Sequence, residues 1–104
     1  MILDKFKLDD KIALVTGASA GLGAAIAVAL AEAGAHVVAH GNSRTPDATC
    51  QLVAGAGRRS LGVRGDLADQ ATPQKLIAQT LTEFGRLDIL INNAGTIRRA
   101  PSVD

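Results

Sequence analysis

A parallel α/β sheet wound with helices on both faces is the fold class that this sequence predicts. Three observations predict it. Short apolar runs alternate with helix-forming segments along the 104 residues, in the order β-α-β-α-β-α-β. Each helical segment closes on glycine: Gly34, then Gly55 and Gly57, then Gly85. The apolar share, 47%, is mostly Ala, Val, Leu and Ile, with no Trp or Tyr and with Phe only at 6 and 84. Small and branched side chains of this kind let helices lie close against a sheet buried on both faces.

The elements follow in order. Residues 11–16 are an apolar run that enters a glycine-rich turn, the pattern of a buried strand. Leu22 to Ala33 is Ala-rich and strongly helix-forming, with Gly34 as its stop. Residues 36–40 read as a second strand, apolar on both faces. Thr45-Pro46-Asp47 has the form of a helix start, with Thr as N-cap, Pro at the first helical position and an acid in the first turn. This second helix is expected to run to Ala54, where Gly55 and Gly57 break it. Ser60 to Gly65 is a third strand ending at Asp66. Thr72-Pro73 repeats the helix-start signal for a helix reaching Phe84, and Leu87 to Ile91 is a fourth strand that enters Asn92-Asn93-Ala94-Gly95.

Strands that alternate with helices make a parallel sheet, and right-handed crossovers place helices on both sides of it. No repeat, low-complexity tract or linker divides the chain, so residues 1–104 are expected to form a single domain. Residues 96–104 carry no convincing element. The sheet therefore reads as an incomplete βαβαβαβ half of a doubly wound fold, whose fourth strand is an unprotected edge.

Charge and composition exclude several function classes. Eleven basic and ten acidic residues are interspersed to a net charge of +1, so neither nucleic acid nor an anionic membrane surface is an expected partner. No apolar run nears the ~18 residues of a membrane span, and the polar N-terminus is not a signal peptide, so a cytoplasmic setting is expected. Cys50 stands alone, which excludes an internal disulfide and a Cys-based zinc cage; it is expected as a small filler on a helix. His36 and His40 lie about 13 Å apart along a strand, a poor metal pair.

The turn Thr16-Gly17-Ala18-Ser19-Ala20-Gly21-Leu22-Gly23 carries the clearest chemistry. Gly17 permits a sharp turn off the strand, and Gly21 leaves bare backbone for a pyrophosphate. Gly23 lets the helix sit close to the sheet. The helix N-terminus then offers unpaired N–H groups and a partial positive charge to the anion. A tight turn with no ligand fits the glycines alone nearly as well; their place between a first strand and an Ala-rich helix favours a nucleotide. A Walker-type loop fits worse, because no Lys-Ser or Lys-Thr follows Gly23. Asp66, at the carboxyl end of a parallel strand, can accept from an adenine amino group or cap the next turn. The amides of Asn92 and Asn93 can line the ligand crevice or close a strand-end turn.

Taken together, Thr16 to Gly23, Asp66-Leu67 and Asn92-Asn93-Ala94-Gly95 resemble the short-chain dehydrogenase/reductase family, in the right order and across most of the chain. The resemblance implies a Rossmann-type sheet, NAD or NADP as cofactor, and an alcohol or ketone substrate. It implies cofactor contacts at Gly17, Ser19, Ala20, Gly21, Leu22, Gly23, Asp66, Leu67, Asn93, Ala94 and Gly95. It also implies a homo-oligomer at full length. More narrowly, the arm from Met1-Ile2-Leu3 to Phe6-Lys7-Leu8 and the run Thr96-Ile97-Arg98-Arg99-Ala100-Pro101 resemble its sugar-acid members. These are the 2-deoxy-D-gluconate 3-dehydrogenases (or 2-dehydro-3-deoxy-D-gluconate 5-dehydrogenases) and the gluconate 5-dehydrogenases. Arg98 and Arg99 can hold a substrate carboxylate through forked hydrogen bonds, or stand as solvated loop arginines or a subunit contact.

An acid at the end of the second strand would bind the ribose hydroxyls of NAD and repel a 2′-phosphate. His40-Gly41-Asn42-Ser43-Arg44 has none before Asp47. Asn42, Ser43 and Arg44 can therefore bind a 2′-phosphate, with His40 helping if protonated, or form a polar loop that caps the following helix, and NADP is expected to be tolerated. Against NADP stand the sugar-acid resemblance and the lack of a basic residue among Ala18, Ser19 and Ala20.

No catalytic residue can be assigned. In the family resembled, a Tyr donates the proton, a Lys of a Tyr-x-x-x-Lys motif lowers its pKa and a Ser orients the substrate. This chain has no Tyr, and Lys5, Lys7, Lys11 and Lys75 match no such motif. The 104 residues alone are thus expected to be inactive: a fragment or truncated product of an oxidoreductase, or a non-catalytic dinucleotide-binding or interaction module.

Overall fold

The computed structural model describes residues 7–93. The arm Met1 to Phe6, and the predicted site residues Ala94, Gly95, Arg98 and Arg99, lie outside the described residues. Four strands and three helices alternate: β1 (Ile12–Thr16), α1 (Gly21–Glu32), β2 (His36–Gly41), α2 (Asp47–Gly55), β3 (Ser60–Arg64), α3 (Thr72–Phe84) and β4 (Ile89–Asn92). The sheet order is β3-β2-β1-β4, and every neighbouring pair is parallel. The chain winds outward from β1 through β2 to β3, then crosses back to lay β4 on the other flank of β1. The winding direction thus reverses between β1 and β4, where sheets of this kind bind ligands outside the carboxyl ends of the strands.

Period-two alternation sorts the strand side chains into two cores. Val15, Val37 and Ala39 face Ala27 and Ala31 of α1 and Val53 of α2. Leu14, Val38 and Val63 point the other way, onto Leu76 of α3. Register follows the same logic: Leu14 pairs with Val38 and Val15 with Ala39, so like faces align across the sheet. Ala27 and Ala31 are one helical turn apart and both buried, which brings α1 close to β1 and β2. Cys50 packs, half-buried, against the α1–α2 core as a filler, and its burial pushes the thiol pKa up. Leu90 of β4 remains 52% exposed at the sheet's edge. No helix among the described residues is long and apolar enough to cross a membrane.

Three local expectations need correction. Thr45 does not cap α2: Pro46 takes the N-cap position without a side-chain cap, and the helix extends one residue further, through Gly55. The polar tie at that end comes instead from Thr49, whose buried Oγ1 donates to the Ala18 carbonyl at 2.6 Å. Thr72 likewise is not a cap but the first helical residue, with its hydroxyl turned back to the Asp66 carbonyl at 2.7 Å. The fourth strand begins at Ile89 rather than Leu87, because Asp88 is occupied in joining β4 to β1. Its N–H donates to the Ile12 carbonyl at 2.9 Å, and its Oδ2 accepts from the Ile12 N–H at 2.8 Å.

Asp88 is thus the polar anchor of the β1–β4 pair. The Arg86 guanidinium, 2.7 Å away, holds its carboxyl below the ordinary value of 3.8, and the Ile12 N–H adds to this. A depressed carboxylate pKa contributes stability above the unfolded value and loses it as pH falls through the folded value. Asp88→Asn should therefore lower the urea midpoint at pH 7, and the gap from the parent should narrow as pH falls below 3.8 through the folded value. A gap that persists unchanged across that range would show that Asp88 acts through shape alone.

Candidate functional site

The described residues expected to meet a cofactor gather at the carboxyl edge of the sheet. β1 ends in Gly17, whose φ of +63° turns the chain sharply, and Gly21 opens α1 at φ +62° with open space where a side chain would stand. Both conformations lie in the left-handed region that glycine tolerates. Gly23 answers to a different constraint. A Cβ there would overlap the Gly17 carbonyl oxygen and lie 2.8 Å from Asn93 Nδ2. The first turn of α1 therefore rests directly on the loop that precedes it.

That turn is open to an anion. Its N-cap is Ala20, in extended conformation and with no side-chain acceptor, and the first turn holds no acid. α2 by contrast carries Asp47 in its first turn, and α3 has Pro73, which lacks an N–H. Ser19 Oγ sits at the limit of bonding distance, 3.5 Å, from the Arg44 carbonyl. Leu22 is 68% exposed beside the bare Gly21. The donors of an uncapped first turn and an unobstructed glycine are what a diphosphate requires, so the residues present fit a dinucleotide.

The end of β2 forms the neighbouring wall. Gly41 must be glycine, because a Cβ would overlap the Arg44 carbonyl as the chain doubles back. Asn42, Ser43 and Arg44 are exposed beyond it. Asn42 Oδ1 accepts from the Leu67 N–H at 2.8 Å, which joins the β2 and β3 turns. Asp66 Oδ1 accepts from the Ala68 N–H at 2.9 Å, so one oxygen of this carboxylate closes its own turn. At the switch point Asn93 Nδ2 donates to the Gly17 carbonyl at 3.2 Å, and Thr16 Oγ1 lies 3.2 Å from Asn92 Oδ1.

One assignment is overturned and one residue is added. His40 cannot assist a 2′-phosphate as a cation: its side chain is fully buried and both ring nitrogens are engaged, at Gly17 and Gly65. Arg64, which the sequence reading passed over, stands at the end of β3 in register with Gly41 and donates to the Ser43 carbonyl at 2.9 Å. Its strand position, two residues before Asp66, was the available signal. Among the described arginines, Arg58, Arg59 and Arg86 are ion-paired with Asp10, Glu83 and Asp88. No such pair is made by Arg44 or Arg64, which flank the β2 turn.

Comparison with known proteins agrees with this geometry. Residues 11–104 match the family model described as short chain dehydrogenase, and the chain belongs to that family. It is 49% identical over 96 residues to an uncharacterized oxidoreductase of Mycobacterium tuberculosis, covering 91% of this chain and 36% of the relative. It is 43% identical over 104 residues to the 2-dehydro-3-deoxy-D-gluconate 5-dehydrogenase of Dickeya dadantii, covering 100% of this chain and 41% of that enzyme. The chain thus spans about two-fifths of the length of such relatives. Among solved structures, carveol dehydrogenase from Mycobacterium avium in complex with NAD matches with a TM-score of 0.74 and 28% identity, over 86% of this chain and 37% of that one. Family and neighbour together support NAD(P) as the cofactor class.

The two helix-start glycines should respond differently to the same substitution. Gly23→Ala forces apart packed backbone and should cost about 1–3 kcal/mol, with loss of measurable dinucleotide binding. Gly21→Ala meets no atoms but strains a left-handed residue, and should cost about 1–2 kcal/mol. Urea unfolding and cofactor titration of both variants check this; a Gly23→Ala chain that binds like the parent would refute the close approach.

Proposed function

We propose that this chain is the dinucleotide-binding portion, a single domain over residues 1–104, of an NAD(P)-dependent oxidoreductase acting on a hydroxyl or keto group of a sugar acid. The observation that carries the cofactor reading is the uncapped first turn of α1, held on the Gly17 carbonyl beside the switch point. The N–H groups from Gly21 to Gly23 would hold the diphosphate, with Gly17, Ser19 and Ala20 shaping the approach. Asn42, Ser43 and Arg44 would meet the adenosine ribose, and Asp66 and Leu67 the adenine. Asn93, continuing into Ala94 and Gly95, would line the nicotinamide side. When bound, the cofactor supplies or takes up a hydride; these residues bind and orient it. Among family members a Tyr gives the proton, and the 104 residues include none.

The sugar-acid class is supported by the name of the Dickeya dadantii relative and by the chemistry of Arg98 and Arg99, which suit a carboxylate. Exposed Leu90 on the edge strand supports self-association of the 104-residue chain. A second reading, a dinucleotide-binding module without catalysis, is favoured by the lack of Tyr. The sequence downstream of residue 104 separates the two: a Ser and a Tyr-x-x-x-Lys there belong to the enzyme.

NADP is accepted in this reading, because Arg44 and Arg64 flank the β2 turn without carboxylate partners. Calorimetric titration with NADH and NADPH tests it. Arg44→Ala and Arg64→Ala should each weaken NADPH by about five- to tenfold, the worth of a charge-assisted hydrogen bond, and leave NADH within about twofold. Binding of NADH alone would remove the NADP assignment; binding of neither would remove the dinucleotide reading.

A further inference from the structure

Among the described residues His40 is the one fully buried titratable side chain at the carboxyl edge, and its surroundings define its tautomer. It lies at the end of β2 on the α3 face of the sheet. Its Nδ1 faces the Gly17 N–H at 3.1 Å, and its Nε2 faces the Gly65 carbonyl at 2.8 Å. An amide N–H only donates and a carbonyl only accepts, so Nδ1 must carry the lone pair and Nε2 the proton. A second proton on the ring would set two donors against each other at Gly17. The ring is therefore held in a single tautomer by two backbone groups of opposite kind.

Those groups belong to different parts of the cofactor site. Gly17 opens the phosphate loop, whereas Gly65 immediately precedes Asp66 and Leu67. The main chain of His40 adds a third tie: its carbonyl accepts from the Ala18 N–H at 2.7 Å. One residue thus takes the first two N–H donors of the loop. The Ala18 carbonyl is held in turn by Thr49 at 2.6 Å. With these donors and this acceptor already satisfied, the loop has a fixed path into the uncapped turn at Gly21.

We infer that His40 is a positioning residue for the cofactor: its imidazole sets the phosphate loop through Gly17 and couples it to the adenine-side turn through Gly65. The inference deepens the dinucleotide reading above and rests on it for its functional consequence. Two substitutions separate the halves of the contact. In His40→Asn, the amide oxygen can stand where Nδ1 stands and still accept from Gly17, while the link to Gly65 is lost. In His40→Gln, the amide nitrogen can stand where Nε2 stands and still donate to Gly65, while Gly17 is released.

Both variants should melt at lower temperature than the parent, since each leaves one buried partner unsatisfied. Dinucleotide affinity should divide them: a loss of no more than about threefold for His40→Asn, and of about tenfold or more for His40→Gln. Equal losses, or losses that simply follow melting temperature, would reduce His40 to a structural role and overturn the inference. Two measurements on the chain without cofactor keep the test independent of the dinucleotide reading and of the variants' folding. Nitrogen-15 spectra of the parent should show an unprotonated Nδ1 and a protonated Nε2, and the opposite tautomer would overturn it. Hydrogen exchange at the Gly17 amide should be protected in the parent and in His40→Asn and at least about tenfold faster in His40→Gln. If the parent binds neither NADH nor NADPH while these two signatures hold, the dinucleotide reading fails and the anchoring of the loop by His40 stands.

Discussion

The first turn of α1 lies against the carbonyl of Gly17, and the carboxyl edge of the sheet is built around that contact. Residue 23 has no side chain, so the helix can approach to a distance that a Cβ would forbid. The same carbonyl then remains within reach of Asn93 Nδ2, which fastens the end of β4 to the loop after β1. The approach also sets the height of α1 over the sheet, where alanines at 27 and 31 meet Val15, Val37 and Ala39. A larger residue at 23 would lift the helix start, part the loop from β4 and open the α1 core together. Anion-binding geometry and core packing are here one constraint.

How much of this was legible in the sequence depended on how local the cause was. Gly34 and Gly85 end their helices at φ +111° and +80°, and Gly17 turns at +63°, because a backbone in that region selects glycine regardless of its surroundings. The two-faced alternation of β1 and β2 was equally plain, since a parallel sheet demands it of its strands. Thr45 and Thr72 misled for the opposite reason. A cap forms only where the incoming chain aims the hydroxyl at the helix's own N–H groups, and the β3 turn drew Thr72 to Asp66 instead. Asn42 and Asp66 were placed correctly at the edge, yet their turn-closing bonds to Leu67 and Ala68 depend on how the strand ends meet.

His40 marks the limit more sharply. In the sequence it closes the second strand, where core packing or a cofactor contact is the expectation, and it adjoins the polar run Gly41-Asn42-Ser43-Arg44. Its burial is decided by β1 on one side and β3 on the other, which are 23 and 25 residues distant along the chain at the points of contact. No window around residue 40 contains that information. Arg64 escaped notice likewise, because only the pairing of Gly41 with Arg64 brings it beside Ser43.

The two ends of the sheet solve their polar problems with different chemistry. At the amino-terminal end, charges are matched: Asp10 with Arg58 and His36, Glu83 with Arg59, Asp88 with Arg86. Arg59 also lies 4.5 Å over the Phe84 ring. Exposed pairs of this kind contribute little each, but they leave that end electrically closed. At the carboxyl end the buried ties are neutral, made by an imidazole, two threonine hydroxyls and asparagine amides to backbone groups. Such ties hold the loops without consuming the first-turn N–H groups of α1. The uncapped start of α1, Arg44 and Arg64 therefore share the edge where the strands end with the Asp66 carboxylate. A helix end is indifferent to which dinucleotide presents a diphosphate, whereas the two guanidiniums flank the β2 turn, where the proposed function sets the ribose.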